Sequence, residues 1–283
     1  MSNADSEEGL VVAARTDGAR CPIWSIHPIG GSVLWIRELA ASLPADQPVY
    51  GIQARGLDGE HEPHRTIEAM AAHYVSLIRG RQPNGPYRLS GASFGGTVAF
   101  EVAQRLEASG ESVELLALFD TFGPGYPARR TLPQRIRSVL GRMRAATWRE
   151  RFAILRRGMN SNAASALTKG LSDLEGAPML AGVRNVISAN TAALVAYRPQ
   201  PYPGPIVLFR ATRRPAEFGD GFDEPTNGWA AVATAGVEVI PVDADHRYML
   251  DKPFVSELCQ KFAERVDAAP GQRPSVRTAV SRS

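Results

Sequence analysis

The chain has 283 residues, 44% of them hydrophobic, with 32 Lys and Arg against 29 Asp and Glu for a net charge of +3. That is enough apolar material for one large core, and no apolar run approaches membrane-spanning length. The basic excess is local: ten Arg and one acid, Glu150, fall between Arg129 and Arg157, leaving 22 basic and 28 acidic residues elsewhere, so the charge makes no general case for nucleic-acid binding. The two cysteines, Cys21 and Cys259, lie far apart without metal-ligand spacing. Buried free thiols in a cytoplasmic protein are expected, and the N-terminus lacks the charged-then-apolar order of a signal peptide.

Residues 1–9, beginning Met1-Ser2-Asn3-Ala4, read as a vector remnant and disordered leader. Leu10 to Ala14 fits an edge strand. Pro22 to Ile26 fits a short buried strand that opens into His27-Pro28-Ile29-Gly30-Gly31-Ser32. Val33, Ile36, Leu39, Ala40 and Leu43 then recur at helical spacing until Pro44. Val49 to Ile52 is a second strand, followed by the loop Arg55-Gly56-Leu57-Asp58-Gly59. Thr66 is placed to cap a helix with the stripe Ile67, Met70, Ala71, Tyr74 and Ile78.

The stretch around which the chain is organised comes next. Tyr87 to Leu89 is extended, Ser90-Gly91-Ala92-Ser93-Phe94-Gly95-Gly96 follows, and Thr97 to Ala108 is helical in pattern. A Gly-x-Ser-x-Gly between strand and helix has the form of a nucleophile elbow, a turn so tight that larger residues two positions either side of the serine would collide. Such a turn lifts the Ser93 hydroxyl above the sheet, beside the first N–H groups of a helix. A plain serine in a glycine-rich turn is the alternative.

Val113 to Phe119 is a wholly apolar strand ending at Asp120. Short apolar strands alternating with amphipathic helices predict a mostly parallel sheet covered on both faces. The rhythm stops between about Gly123 and Pro199, where helical patterns predominate, so residues 123–200 are expected to form a helical lid insertion between core segments 10–122 and 201–267. Within it Arg135, Arg142, Arg149 and Arg156 recur every seven residues, as do Arg137, Arg144 and Arg151, which is either a solvated face or a steering surface for an acidic partner. Strands resume at Ile206 to Phe209 and Val237 to Val242, a last helix runs from Pro253 to about Val266, and residues 268–283 have the composition of a disordered tail.

Acyl transfer by serine needs a base, an acid to orient it, and N–H donors for the oxyanion. His27 lies in a glycine-rich turn, His61 and His64 in an acidic loop with only weak metal spacing, and His73 in a helix. His246 directly follows the last strand, where the order serine, acid, histidine places its base. For the acid, Asp120 and the later pair Asp220 and Asp223 are all candidates, whereas Asp243 and Asp245 lie too near His246 in sequence. The backbone N–H groups of Ile29 and Phe94 are expected to converge as oxyanion donors.

His-Pro-Ile-Gly-Gly-Ser, Pro-Val-Tyr-Gly-Ile-Gln-Ala-Arg-Gly-Leu-Asp-Gly, Gly-Pro-Tyr-Arg-Leu-Ser-Gly-Ala-Ser-Phe-Gly-Gly, Leu-Ala-Leu-Phe-Asp-Thr and Asp-His-Arg-Tyr-Met-Leu occur in that order. Together, from about Pro22 to Val266, they resemble the type I thioesterase domains that end nonribosomal peptide synthetases and related polyketide assembly lines. The resemblance implies an α/β-hydrolase fold with Ser93 as nucleophile, His246 as base and Asp120, rather than Asp220, as acid. It implies the same two oxyanion donors, Ile29 and Phe94, no metal or organic cofactor, no membrane or nucleic-acid partner, and a carrier protein that delivers the acyl chain on phosphopantetheine. Ala92, where many relatives carry an aromatic residue or histidine, and Arg247 depart from the pattern. A free-standing editing thioesterase is a rival reading, disfavoured by the His27 to Gly31 loop and by the elbow sequence. A noncatalytic binding protein of the same fold is the other rival.

Overall fold

The computed structural model describes residues 9–124, 126, 181–213 and 224–268. The strands are β1 (Val11–Arg15), β2 (Ile23–Ile26), β3 (Val49–Ile52), β4 (Tyr87–Ala92), β5 (Val113–Phe119), β6 (Ile206–Arg213) and β7 (Val237–Asp245). The helices are α1 (Ile36–Ser42), α2 (Ile67–Arg81), α3 (Phe94–Ala108), α4 (Ala181–Ala196) and α5 (Phe254–Asp267). One seven-stranded sheet runs in the order β1-β3-β2-β4-β5-β6-β7. Every neighbouring pair is parallel except β1 with β3.

Burial on both faces follows from the strand sequences. In β5, Val-Glu-Leu-Leu-Ala-Leu-Phe, all but Glu114 are buried, because apolar layers cover the sheet above and below. One layer joins β4 and β5 to α2 and α3 through Trp24, Tyr74, Tyr87, Phe100 and Trp229, all fully buried. The other joins β5 and β6 to α1 and α5 through Ile36, Phe119, Phe209 and Phe262. Helix α2 starts where a hydroxyl can cap it: Thr66 Oγ1 accepts the Ala69 N–H at 3.1 Å.

Strand order sets where a site can form. The chain goes outward from β2 to β3, then returns across β2 to build β4 on its other side. The loops after β2 and β4 therefore diverge at their carboxyl ends and leave a crevice, the place where open α/β sheets hold ligands.

The expected elements are present with shifted ends. Helix α3 begins at Phe94 rather than Thr97, and β6 and β7 run on to Arg213 and Asp245. The extension of β7 is braced from outside, where Arg213 and Asp243 form an exposed ion pair at 2.7 Å. Cys259 is buried, as expected, but Cys21 is only partly so. The arginine series from Arg135 to Arg156, Asp220, Asp223, and the tail beyond 268 lie outside the described residues. Of the expected insertion, the described residues form α4 and its approach to the core.

Candidate active site

The elbow is dictated by close approach. A Cβ added to Gly91 would lie 2.3 Å from the Gly95 carbonyl oxygen, and one added to Gly95 would lie 2.4 Å from that of His27 and 2.5 Å from that of Ile26. Those are backbone atoms that cannot step aside, so both flanking glycines are required. Gly96 faces the next crossover, where a Cβ would come within 1.9 Å of Thr121 Oγ1.

Between these glycines Ser93 adopts φ +50° and ψ −117°, a conformation a non-glycine residue holds only when its surroundings enforce it. Its N–H donates to the Phe119 carbonyl at 2.9 Å, tying the elbow to the end of β5. Serine before a helix ordinarily caps it, but the Ser93 side chain makes no capping hydrogen bond. Its Oγ instead lies 3.1 Å from Nε2 of His246.

His246 follows β7 directly, with its side chain 16% exposed, and stacks on Phe122 at 4.9 Å between ring centroids. Its Nδ1 lies 2.8 Å from Oδ2 of Asp120, whose side chain is 1% exposed. Asp120 also has positive φ, +40°, at the point where β5 turns outward. Its other oxygen, Oδ1, accepts the Ala211 N–H at 3.1 Å and the Asn227 side-chain amide at 3.0 Å. Asn227, fully buried at φ +50°, is in turn gripped by Arg210, whose Nε donates to Oδ1 at 3.2 Å. Ser93, Asp120 and Asn227 are the non-glycine residues with positive φ among those described, and all three are in this one network.

A carboxylate can only accept, so Nδ1 of His246 carries the proton and Nε2 presents a lone pair to the Ser93 hydroxyl. The arrangement can take a proton from serine and stabilise the resulting imidazolium. The loop after β2 faces the elbow: Ile29 lies on it, Phe94 is the first residue of α3, and the rings of His27 and Phe94 stack at 5.8 Å.

The structure thus brings Ser93, His246 and Asp120 into contact and, among the described residues, gives the other titratable candidates different partners. Asp243 is taken by Arg213, and Asp245 by Arg247, whose guanidinium also lies 5.3 Å over the Tyr248 ring. His61 pairs with Asp58 at 2.6 Å, while His64 faces His73 at 3.2 Å. Burial, with a like-charged neighbour in His73, pushes the His64 ring down to about 4. Among the described residues no cluster of three or more His, Cys, Asp or Glu is placed to hold a metal ion. Ala92, the last residue of β4, is buried and adds no polar group. Sequence reasoning missed Asn227, because its partner, Asp120, is 107 residues away in the chain.

A nucleophile elbow at the switch point of a doubly covered parallel sheet, with histidine and carboxylate on later loops, is the α/β-hydrolase arrangement. Within that class the chain belongs to the thioesterase domain family, whose model matches residues 22–265. It is 26% identical over 271 residues to the dimodular nonribosomal peptide synthase of Bacillus subtilis (strain 168), covering 94% of this chain and 11% of the synthase. With malpinin synthetase of Mortierella alpina it shares 31% identity over 246 residues, 87% of this chain and 3% of that protein. The chain therefore spans about a tenth or less of these two relatives. Among solved structures, the NocB thioesterase domain in covalent complex with a fluorophosphonate nocardicin G analogue superposes with a TM-score of 0.64 at 23% identity, over 91% of this chain and 99% of that one. Among the described residues no helix is long and apolar enough to cross a membrane.

Proposed function

We propose that this domain releases an acyl or peptidyl chain from the phosphopantetheine thiol of a carrier protein, through an ester on Ser93. The observation carrying this reading is the unbroken path from Ser93 Oγ to His246 Nε2, at 3.1 Å, and from His246 Nδ1 to Asp120 Oδ2, at 2.8 Å. Ser93 Oγ attacks the thioester carbonyl and passes its proton to Nε2. The carbon–oxygen double bond becomes an oxyanion, received by the N–H groups of Ile29 and Phe94. The tetrahedral intermediate collapses by breaking the carbon–sulfur bond, and His246 returns its proton to the departing sulfur. Water or a nucleophile within the acyl chain itself then gives its proton to Nε2 and attacks the ester; collapse breaks the bond to Ser93 Oγ, which takes the proton back from His246, and the product leaves as acid or macrocycle. Asp120 keeps the imidazole in the required tautomer and stabilises its cation.

No bound cofactor is needed for these steps. The relatives are far longer synthetases, of which this chain spans about a tenth or less, which supports a carrier in the same parent chain. The decisive experiment mixes the protein with a carrier bearing an acyl-phosphopantetheine thioester and follows intact mass. An acyl adduct that maps to Ser93 and discharges with release of product is expected. Persistent binding of the loaded carrier without any adduct would favour a noncatalytic member of the fold.

A further inference from the structure

Two buried polar side chains, one on the loop after β2 and one reaching it from α4, are not used by the reaction above. His27 is fully buried, with Nδ1 at 2.8 Å from the Pro28 carbonyl oxygen and Nε2 at 2.8 Å from the Tyr74 hydroxyl. Asn190, on α4 and 1% exposed, donates its side-chain amide to the Ile29 carbonyl at 2.9 Å.

We propose that His27 and Asn190 are positioning residues that aim the Ile29 N–H at the oxyanion. This rests on the reading of Ile29 as an oxyanion donor. The Pro28 carbonyl and the Ile29 N–H belong to one peptide unit, which is planar and trans, so the two groups point in opposite directions. Fixing the oxygen fixes the hydrogen. Two donors hold that oxygen: the His27 ring and the Gly31 N–H, at 2.9 Å, which closes the turn. The next peptide unit is held by Asn190, so the plane bearing the Ile29 N–H is restrained from both sides. Charge drawn into the Pro28 carbonyl by its donors also makes the N–H of the same peptide a stronger donor.

The protonation pattern is determined by the partners. A carbonyl oxygen only accepts, so Nδ1 of His27 bears the hydrogen. Burial lowers the ring to about 4, so at pH 7 it is neutral and Nε2 accepts from the Tyr74 hydroxyl. Tyr74 is itself fully buried on α2, and the His27 ring stacks on Phe94, the residue of the second donor. One imidazole therefore touches both halves of the proposed oxyanion site. Asn190 adds a condition: it comes from the helix that follows residues 127–180, so the donor is correctly aimed only while α4 is docked on the loop.

A plainer account is that both side chains merely satisfy polar groups in a tight loop, and the experiment separates the two. kcat and KM would be measured on an acyl-S-N-acetylcysteamine thioester, with Ki for the trifluoromethyl ketone of the same acyl group, which forms a tetrahedral oxyanion on serine. His27→Leu and Asn190→Leu are each expected to lower kcat by about 10- to 100-fold, short of the loss from deleting an oxyanion donor outright. Ki for the ketone should rise in proportion, with KM nearly unchanged. His27→Asn, which keeps an N–H near the place of Nδ1, should recover most of the loss. Parental kcat in both leucine variants, or a loss confined to KM or to Tm with Ki unmoved, overturns the proposal. Should His27→Leu fail to fold, Asn190→Leu and Tyr74→Phe carry the same readouts. A further variant replaces Ile29 by its α-hydroxy analogue, deleting only the N–H. Full activity there would overturn Ile29 as donor, whereas loss there with active leucine variants would overturn only the positioning roles.

Discussion

Asn227 donates its side-chain amide to Oδ1 of Asp120 at 3.0 Å, on the opposite arm of the carboxylate from His246. The carboxylate is thus held by a residue whose own backbone sits at φ +50°. Glycine tolerates that conformation, so Asn227→Gly removes the amide without straining the turn. Loss of one buried hydrogen bond to a charged group costs about 1.5–3 kcal/mol. A fall in kcat of about 10- to 100-fold on a small thioester is expected. Unchanged kcat would mean that Asp120 is oriented without the Asn227 amide.

Ser93→Ala is expected to abolish turnover and labelling by a fluorophosphonate while leaving the fold intact, since the partly buried hydroxyl contributes little packing. Circular dichroism and intact mass check both halves. An acyl adduct on the alanine variant would remove Ser93 from the mechanism.

Asp120→Asn should lower kcat by roughly 10⁴, the loss expected when a triad acid becomes an amide that favours the wrong tautomer. Asparagine accepts positive φ, so the backbone at +40° is retained. Asp220→Asn and Asp223→Asn should leave the rate unaltered. A severe loss in either, alongside an active Asp120→Asn, would move the acid to the segment after β6.

Gly95→Ala should prevent folding or cost more than about 3 kcal/mol, because its Cβ meets the carbonyl oxygens of Ile26 and His27 rather than movable side chains. Urea unfolding gives the number. Near-parental stability would show that the elbow and the β2 loop are further apart than 2.4 Å implies.

Buried histidine also predicts how stability depends on pH. The folded state holds His27 near 4, against 6.5 when exposed. Between those values the unfolded chain binds a proton that the folded chain refuses, so stability is fully present above 6.5 and declines as pH falls towards 4. One such group accounts for about 3 kcal/mol at most, and His64, also lowered to about 4, acts in the same direction. Urea titrations from pH 7 to 4 should show this decline, and His27→Asn should flatten it. An equal decline in both proteins would assign the effect to other groups.

Much of the candidate site is legible in the sequence because it obeys local rules. The elbow announces itself through the spacing of Gly91, Ser93 and Gly95, although the carbonyls that Gly95 must clear belong to Ile26 and His27 at the end of β2. His246 was readable from its place after the last apolar strand. The choice of Asp120 over Asp220 and Asp223 needed more than spacing, because each ends or follows a strand in much the same way. Asn227 and Asn190 left no local signal: each acts on a residue more than a hundred positions away. Tyr74 belongs to the apolar stripe of α2, and only the fold shows that its hydroxyl is directed at His27. The ends of β6 and β7 were misjudged because Arg213 and Asp243 look like loop residues until they pair across the strands.

His246 directly follows β7, which among the described strands lies at the margin of the sheet beside β6, whereas Ser93 follows a central strand. Ser93 and His246 therefore belong to parts of the molecule with different local opening energies. Fraying of the β7 margin separates Nε2 from Oγ without disturbing β2, β4 or β5. Heat should accordingly inactivate the domain reversibly before it melts, and amide exchange in residues 237–245 should track that loss while the amides of β4 stay protected.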